Sequence, residues 1–224
     1  MAFPRDLVVL VPDGAIFMVV GALLEKRRAS LGLRPVAFDR IKDALHDSSP
    51  EATAVTLLRG YRATHERALV LRDLEGSGWE HRGAPALESA LTQALNAAGW
   101  PADRVAAVVI QPEIEQWLRL GSTHLEALVK AQARRRPALP DGAFPSVVQA
   151  AVAAHGGWTQ RKPRRPKECF GAVLEAYGVP RSNALYGRLA EKESLSDCAV
   201  PSFRRFREYL RSWFAESGRA ELAS

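Results

Sequence analysis

The chain has 224 residues, which is enough for one large domain, or a core with a helical appendage, that folds without disulfides or structural metals. Hydrophobic residues make up 47% of it and charged residues 25%, which excludes a wholly disordered protein. The two cysteines, Cys169 and Cys198, are too few for a disulfide scaffold or a four-cysteine zinc site, so we expect buried free thiols.

Charge is distributed unevenly along the chain. Residues 1–120 hold 14 Lys and Arg against 15 Asp and Glu, whereas residues 121–224 hold 17 against 10. A basic half beside an acidic site is typical of a protein that meets a polyanion, although general basicity would explain the charge equally. The apolar runs 7–11 and 15–24 are shorter than the ~20 residues that span a bilayer, so we expect a cytoplasmic protein without membrane contact.

The first half of the chain alternates between strand and helix patterns. Four apolar runs without clean polar alternation predict strands buried on both faces: Leu7–Val11, Arg34–Phe38, Ala68–Leu71 and Val105–Ile110. Helical patterns lie between them, at Ala15–Ser30, from Pro50 to about His65 with Ser49 as N-cap, and at Pro85–Ala98. This alternation predicts an α/β fold with a mainly parallel, Rossmann-like sheet and helices on both faces.

After Ile110 the patterns are helical. We predict helices at Glu113–Leu120, Ser122–Ala133, Ser146–His155, Glu168–Tyr177, Ser182–Glu193 and Pro201–Ala215, with basic loops at 134–145 and 156–167. We therefore divide the chain into an α/β core, residues 1–121, and a basic helical C-terminal region, residues 122–224, packed on that core.

Acidic residues follow every predicted strand. They are Asp13, Asp39, Asp73 with Glu75, and Glu113 with Glu115. The carboxyl ends of parallel strands share one edge of the sheet, where carboxylates repel one another unless a cation lies between them. Mg²⁺ or Mn²⁺ prefers such oxygen ligands, which makes Asp73, Glu75, Glu113 and Glu115 candidate metal ligands.

Helix capping is the alternative role for these acids. We interpret Asp39 as a cap, and leave Asp13 open between a cap and a site residue. Glu113 and Glu115 are two positions apart and cannot share one face of a regular helix, and position favours Glu113 as the ligand. The segment also carries apolar residues at helical spacing, which we expect to be buried: Ile114, Trp117 and Leu118.

Four cations of the second basic loop are candidate phosphate contacts, with a solvated loop as the alternative: Lys162, Arg164, Arg165 and Lys167. The chain lacks the GxxxxGK[ST] phosphate loop, a GxGxxG motif after a strand and the GxSxG nucleophile turn. Triphosphatase, dinucleotide oxidoreductase and serine hydrolase functions are therefore disfavoured. The five histidines show no metal-binding spacing.

Three segments together resemble the Toprim fold: the strand Leu7–Val11 leading to Asp13-Gly14, Asp73-x-Glu75, and Pro112-Glu113-Ile114-Glu115-Gln116-Trp117-Leu118. Within that fold the chain is similar to small RloB-like proteins associated with restriction and phage-defence loci. The segment Pro166-Lys167-Glu168 and the stretch from Leu195 to Phe214 look like their helical tail. The resemblance covers most of the chain but rests on short motifs.

The resemblance implies roles for individual residues. Asp13 takes the place of the Toprim glutamate that acts as general acid or base, and Asp73-Leu74-Glu75 takes the place of a Mg²⁺-binding D-x-D. Both positions depart from the family pattern, and the shorter Asp13 side chain moves its carboxyl group by more than ~1 Å.

Three functions remain open. The first is a Mg²⁺- or Mn²⁺-dependent nuclease that cleaves DNA or RNA in a bacterial anti-phage defence system. The second is a catalytically degenerate subunit that binds nucleic acid or a partner protein, for which residues 174–189 loosely resemble a helix-turn-helix. The third is a small-molecule phosphohydrolase, which would have no use for the basic C-terminal region.

Overall fold

The computed structural model describes residues 3–44, 49–133, 139–159, 162–193, 195 and 198–216. The strands are β1 Arg5–Val11, β2 Phe38–Lys42, β3 His65–Asp73, β4 Val105–Ile110, β5 Trp158–Thr159 and β6 Lys162–Pro163. The helices are α1 Gly14–Lys26, α2 Arg28–Leu31, α3 Pro50–Leu58, α4 Ala84–Ala97, α5 Thr123–Gln132, α6 Phe144–Ala154, α7 Pro166–Ala176, α8 Asn183–Lys192 and α9 Pro201–Phe214.

Strands β1 to β4 form one parallel sheet in the order β2-β1-β3-β4. The chain first steps outward from β1 to β2 and then crosses back to β3 on the other side of β1. Connections therefore leave β1 and β3 in opposite directions, which opens a crevice at the carboxyl ends of these two strands. The predicted fold class, a parallel α/β sheet with a helical C-terminal region, is confirmed.

The sheet is covered on both faces, which explains why its central strands read as continuous apolar runs. On one face Val8 and Leu10 pack with α3 and α4. On the other face Leu7, Val9 and Val11 pack with α1 and with the C-terminal helices. The helical region thus shares a core with the sheet, while the boundary at residue 121 stays a prediction.

Trp117 joins the two parts of the chain. Its ring is fully buried and lies 5.2 Å from the Phe203 ring and 5.1 Å from the Phe206 ring, both on α9. Its indole N–H donates to the Ser202 hydroxyl at 2.9 Å. The other predicted members of this buried stripe, Ile114 and Leu118, are also buried, so the predicted burial of these three residues is confirmed.

The second predicted strand was placed four residues too early. Residues 34–37 approach the end of α9, where Arg34 N–H donates to the Phe214 carbonyl, and Pro35 has no N–H to give to a sheet. The true strand, Phe38–Lys42, lies at an edge of the sheet and carries charged residues. An edge strand that is only half-buried lacks the apolar run by which the buried strands were found.

The predicted helix Glu113–Leu120 was also wrong. Glu113 is extended, with φ −148° and ψ 168°, and only a short 3-10 turn, Ile114–Gln116, follows. The rule that residues two apart face different ways holds for a regular α-helix. It does not apply here, and Glu113 and Glu115 are both buried and both line the same cleft.

Parts of the predicted basic loops, residues 134–138 and 160–161, lie outside the described residues, as do Ser196 and Asp197 of the predicted tail motif. In the rest of the second loop, Trp158–Thr159 and Lys162–Pro163 form the antiparallel pair β5-β6, and Pro166 and Lys167 already belong to α7. Both cysteines are free, as expected. In the part of the chain that the structure describes, every helix is too short or too polar to cross a bilayer.

Replacing Ser202 tests the anchor around Trp117. Ser202→Ala removes the acceptor of the buried indole N–H, which should lower the free energy of unfolding by about 1–3 kcal/mol. Ser212→Ala, on the same helix, removes an exposed hydroxyl bonded only to the Tyr209 carbonyl, and should change stability by less than about 0.5 kcal/mol. Denaturant unfolding measures both, and equal effects would contradict the anchor.

Candidate functional site

A cleft of about 290 Å³ lies at the crevice between β1 and β3. Four acidic side chains line it, one after β1, one at the end of β3 and two after β4: Asp13, Asp73, Glu113 and Glu115. The parallel registers bring these strand ends to one edge, because Asp73 pairs with Ile110 in the sheet. The convergence expected from the strand order is therefore present for these four residues.

Asp73 is the acid most strongly affected by its neighbours. It is half-buried, but its Oδ1 has no access to solvent and no hydrogen-bond partner. Burial, followed by the negative charges of Asp13, Glu115 and Glu113, raises the pKa of Asp73 to about 8. A buried carboxylate oxygen without a partner is costly, and such an atom calls for a proton or a cation.

Asp13 has two structural roles. It is the N-cap of α1, where its Oδ1 accepts from the Ile16 N–H at 2.8 Å. It also lines the cleft with an exposed side chain, and its charge raises the pKa of Asp73. The two interpretations left open by the sequence are therefore compatible, since capping uses one carboxylate oxygen and leaves the other.

Glu113 is held by a cation from the C-terminal region. The Lys167 ammonium, at the start of α7, lies 2.8 Å from its Oε1. Burial raises the pKa of Glu113, while the hydrogen bond from Lys167 acts in the opposite direction. The Lys167 side chain is 52% exposed, so this ion pair is formed at the mouth of the cleft and is partly screened by water.

Glu115 is held from inside the protein. Its Oε1 accepts from the Tyr186 hydroxyl at 2.8 Å and from Nη2 of Arg181. Only 4% of the Glu115 side chain is exposed. Neither Arg181 nor Tyr186 was singled out from the sequence as a site residue.

Glu75 and Asp39 do not line the cleft. The turn after β3 places Gly76 and Gly78 at φ values of 76° and 77° and leaves Glu75 exposed, although its charge still raises the pKa of Glu113. Asp39 lies near the start of β2, accepts from His65 at 3.0 Å and caps no helix. The acid that follows β2 is the buried Asp43, paired with Arg72 at 2.6 Å.

The four predicted phosphate contacts have different surroundings. Lys162 is half-buried and donates to the Leu118 carbonyl at 3.0 Å, and burial lowers the pKa of its ammonium. Arg164 and Arg165 are exposed, and Arg165 pairs with Glu168 at 2.8 Å. With Lys167 at the cleft, these two arginines form a short basic segment that leads into α7. Phosphate binding by all four stays a prediction.

The start of α8 completes the cleft with Arg181, Ser182 and Asn183. It lies close to α1, and the Asn183 amide occupies the space that a Cβ at Gly14 would take. Within α8, Leu185 and Leu189 are buried and pack into the core. Half of the ten residues of α8 are buried, and the helix-turn-helix interpretation stays a prediction.

Within the described ranges, no three acidic, histidine or cysteine side chains already lie in a metal-binding arrangement. The acids of the cleft are instead partly neutralised by Lys167 and Arg181. The chemistry of the donors, all carboxylate oxygens with one buried and unpartnered at Asp73, nevertheless fits a hard divalent cation.

No protein-family model matches the chain, and no curated protein matches it. Among solved structures, the C-terminal region of the OLD protein of Xanthomonas campestris pv. campestris is similar to it, with 15% identity and a TM-score of 0.45. The match covers 94% of this chain and 96% of that chain.

The raised pKa of Asp73 makes stability depend on pH. In the unfolded chain the carboxyl group ionises near pH ~4, whereas in the folded protein it holds its proton to about pH 8, so its ionisation destabilises the fold increasingly across that window. Asp73→Asn does not titrate. Without divalent metal, its advantage in stability over the wild type should grow by at least ~1 kcal/mol between about pH 5 and pH 8.

Thermal or denaturant unfolding with EDTA present measures this difference. Glu75→Gln is the matched control, since Glu75 is two residues away and exposed, and it should behave like the wild type at both pH values. An Asp73→Asn protein whose advantage shrinks as the pH rises would contradict the burial of this carboxyl group.

Proposed function

We propose that the chain is a Mg²⁺- or Mn²⁺-dependent nuclease that hydrolyses phosphodiester bonds of DNA or RNA. The observation that carries this proposal is the Asp73 carboxyl group, whose buried Oδ1 lacks a partner at the point where the acids of three strands meet. Carboxylates gathered there favour a divalent cation, because the cation relieves their mutual repulsion.

Asp73 and Glu113 would hold the metal, with Asp13 beside them. Because Lys167 is paired with Glu113, the metal would compete with the Lys167 ammonium for this carboxylate. When bound, the metal supplies stabilisation of charge on a phosphoryl oxygen and lowers the pKa of an attacking water.

The residues of the chain would contribute binding and proton transfer. The Asp13 oxygen not used in the helix cap is at the exposed side of the cleft, where it can accept a proton from a water molecule. Lys167, once released from Glu113, presents an ammonium to the substrate backbone. Arg164 and Arg165 extend this positive charge away from the cleft along the same segment.

The biological setting is part of the proposal. The resemblance of the short motifs to defence-associated Toprim-like proteins supports a role in bacterial anti-phage defence, and a partner protein from such a system remains compatible with it. The distribution of charge, with an excess of 7 cations in residues 121–224, supports nucleic acid as the binding partner.

A binding subunit without catalysis is the second candidate. Two observations favour it: Lys167 and Arg181 already neutralise two of the glutamates, and Asp13 already caps a helix. In that case Lys167 and Arg181 would take the place of a metal permanently. The cleft would then serve only to position the C-terminal region on the sheet.

Metal calorimetry with a cleavage assay on the same samples tests the first candidate. Asp73→Asn and Glu113→Gln should each weaken Mn²⁺ binding by at least ~10-fold and abolish cleavage of DNA or RNA, because each removes a charged ligand. Glu75→Gln and Glu80→Gln, which change exposed acids outside the cleft, should leave both measurements nearly unchanged.

A wild-type protein that binds no Mn²⁺ at millimolar concentration would refute the nuclease and favour the binding subunit. If Mn²⁺ binding is lost in Glu75→Gln but kept in Glu113→Gln, the metal site lies near the turn after β3 and not in the cleft.

Salt dependence tests the polyanion partner. The affinity for a DNA or RNA oligonucleotide should fall steeply with salt, and the double variant Arg164→Gln with Arg165→Gln should reduce the slope of log K against log salt by about 1–2. Arg188→Gln, an exposed arginine on α8, is the control. Cleavage of small phosphate esters without salt-dependent polymer binding would favour the phosphohydrolase.

A further inference from the structure

The guanidinium group of Arg181 is held by two buried side chains, Tyr186 and Glu115, which we call the brace. Arg181 precedes the N-cap Ser182 of α8. Its Nε donates to the Tyr186 hydroxyl at 2.8 Å, and its Nη2 is paired with Glu115. Both partners are fixed by the core, since Tyr186 is 2% exposed and Glu115 is 4% exposed.

Each hydrogen bond of the brace has a defined donor and acceptor. The Tyr186 hydroxyl donates to Glu115 at 2.8 Å while accepting from Arg181. Burial, and then the charge of Glu115, raises the pKa of Tyr186, so this hydroxyl stays protonated and keeps its place in the chain of hydrogen bonds. The three side chains form a closed triangle, in which each contacts the other two.

The triangle does not use the whole guanidinium group. A guanidinium has five N–H donors in a planar fork, and the brace uses those of Nε and one of Nη2. The Arg181 side chain is 41% exposed and lines the cleft together with Asp13, Asp73 and Lys167. The remaining donors belong to a positive group that is immobilised at the edge of an acidic cleft.

We propose that Arg181 binds a phosphate group of the substrate, and that Glu115 and Tyr186 are positioning residues that hold its guanidinium in place. This inference rests on the proposed function in taking the substrate to be a phosphodiester. A planar fork suits two phosphate oxygens, and bracing from inside lowers the side-chain entropy lost on binding. It also removes Glu115 from the metal ligands and leaves that role to Asp73 and Glu113.

The position of Arg181 next to the acids makes its replacement informative. Loss of a phosphate-binding cation weakens the binding of nucleic acid. Loss of the same positive charge beside Asp73 and Glu113 strengthens the attraction of the cleft for a divalent cation. Arg181→Gln should therefore change the two affinities in opposite directions, whereas replacing an arginine that only supports Glu115 would leave the oligonucleotide affinity unchanged.

The experiment uses the full chain and two measurements. The affinity for a labelled DNA oligonucleotide is measured by fluorescence anisotropy with EDTA present, and Mn²⁺ binding is measured by calorimetry without nucleic acid. Arg181→Gln should weaken oligonucleotide binding by at least ~10-fold, as expected for loss of charge-assisted hydrogen bonds, and should strengthen Mn²⁺ binding. Arg188→Gln, which changes an exposed arginine of α8, should do neither.

Tyr186→Phe separates positioning from charge. It removes only the hydroxyl and keeps every charge of the cleft, so it should weaken oligonucleotide binding several-fold and leave Mn²⁺ binding unchanged. Arg181→Lys keeps the charge but loses the fork, and should give an intermediate oligonucleotide affinity. These two variants test the inference if Arg181→Gln fails to fold.

Several outcomes would overturn the inference: oligonucleotide binding that is the same in Arg181→Gln and the wild type, weaker Mn²⁺ binding in that variant, or a wild type that binds no oligonucleotide. A wild type that binds no Mn²⁺ but binds oligonucleotide through Arg181 would refute the metal-dependent nuclease and support the role of Arg181. The nuclease proposal can therefore be refuted while the role of Arg181 is supported.

Discussion

Repulsion between carboxylates at one edge of the sheet is the constraint around which this molecule is arranged. The parallel strands place Asp13, Asp73 and the two glutamates after β4 in one cleft, and burial strengthens their repulsion because water screens them less. Burial, and then the negative charges of the neighbouring acids, raise the pKa of Asp73 to about 8. Any stable arrangement must supply protons, metal or cations to the cleft, and the structure supplies two cations of its own, Lys167 and Arg181.

Both cations come from the C-terminal helical region, which makes this region part of the site. Its helices are held in place by apolar contacts: Trp117 packs between rings of α9, and Leu185 and Leu189 of α8 share a buried cluster with α1. The free energy of this packing comes from the core, so it can hold charged groups at positions that would be unfavourable in an isolated loop. The core thus fixes the electrostatics of the cleft.

The two glutamates after β4 differ in how they are neutralised. Glu113 is paired with a long, half-exposed lysine side chain that water and other ions can reach. Glu115 is enclosed by a tyrosine and an arginine that the core immobilises. An ion pair whose carboxylate is buried and accepts from two donors exchanges partners less readily than an exposed one. This difference is why we place the exchangeable chemistry at Glu113 and the fixed brace at Glu115.

The sequence by itself determined the class of fold and four strand-end acids of the cleft, because apolar runs such as Val105–Ile110 and the residues that follow them are local features. It misplaced β2, whose edge position allows the charged run Phe38–Lys42, and it assigned a helix where Glu113 is extended. Only the tertiary structure decided that Glu75 is exposed, that Glu113 and Glu115 share a cleft, and that Arg181 and Tyr186 join them. These outcomes depend on contacts between residues up to 71 positions apart, and no local pattern encodes a distance across the fold.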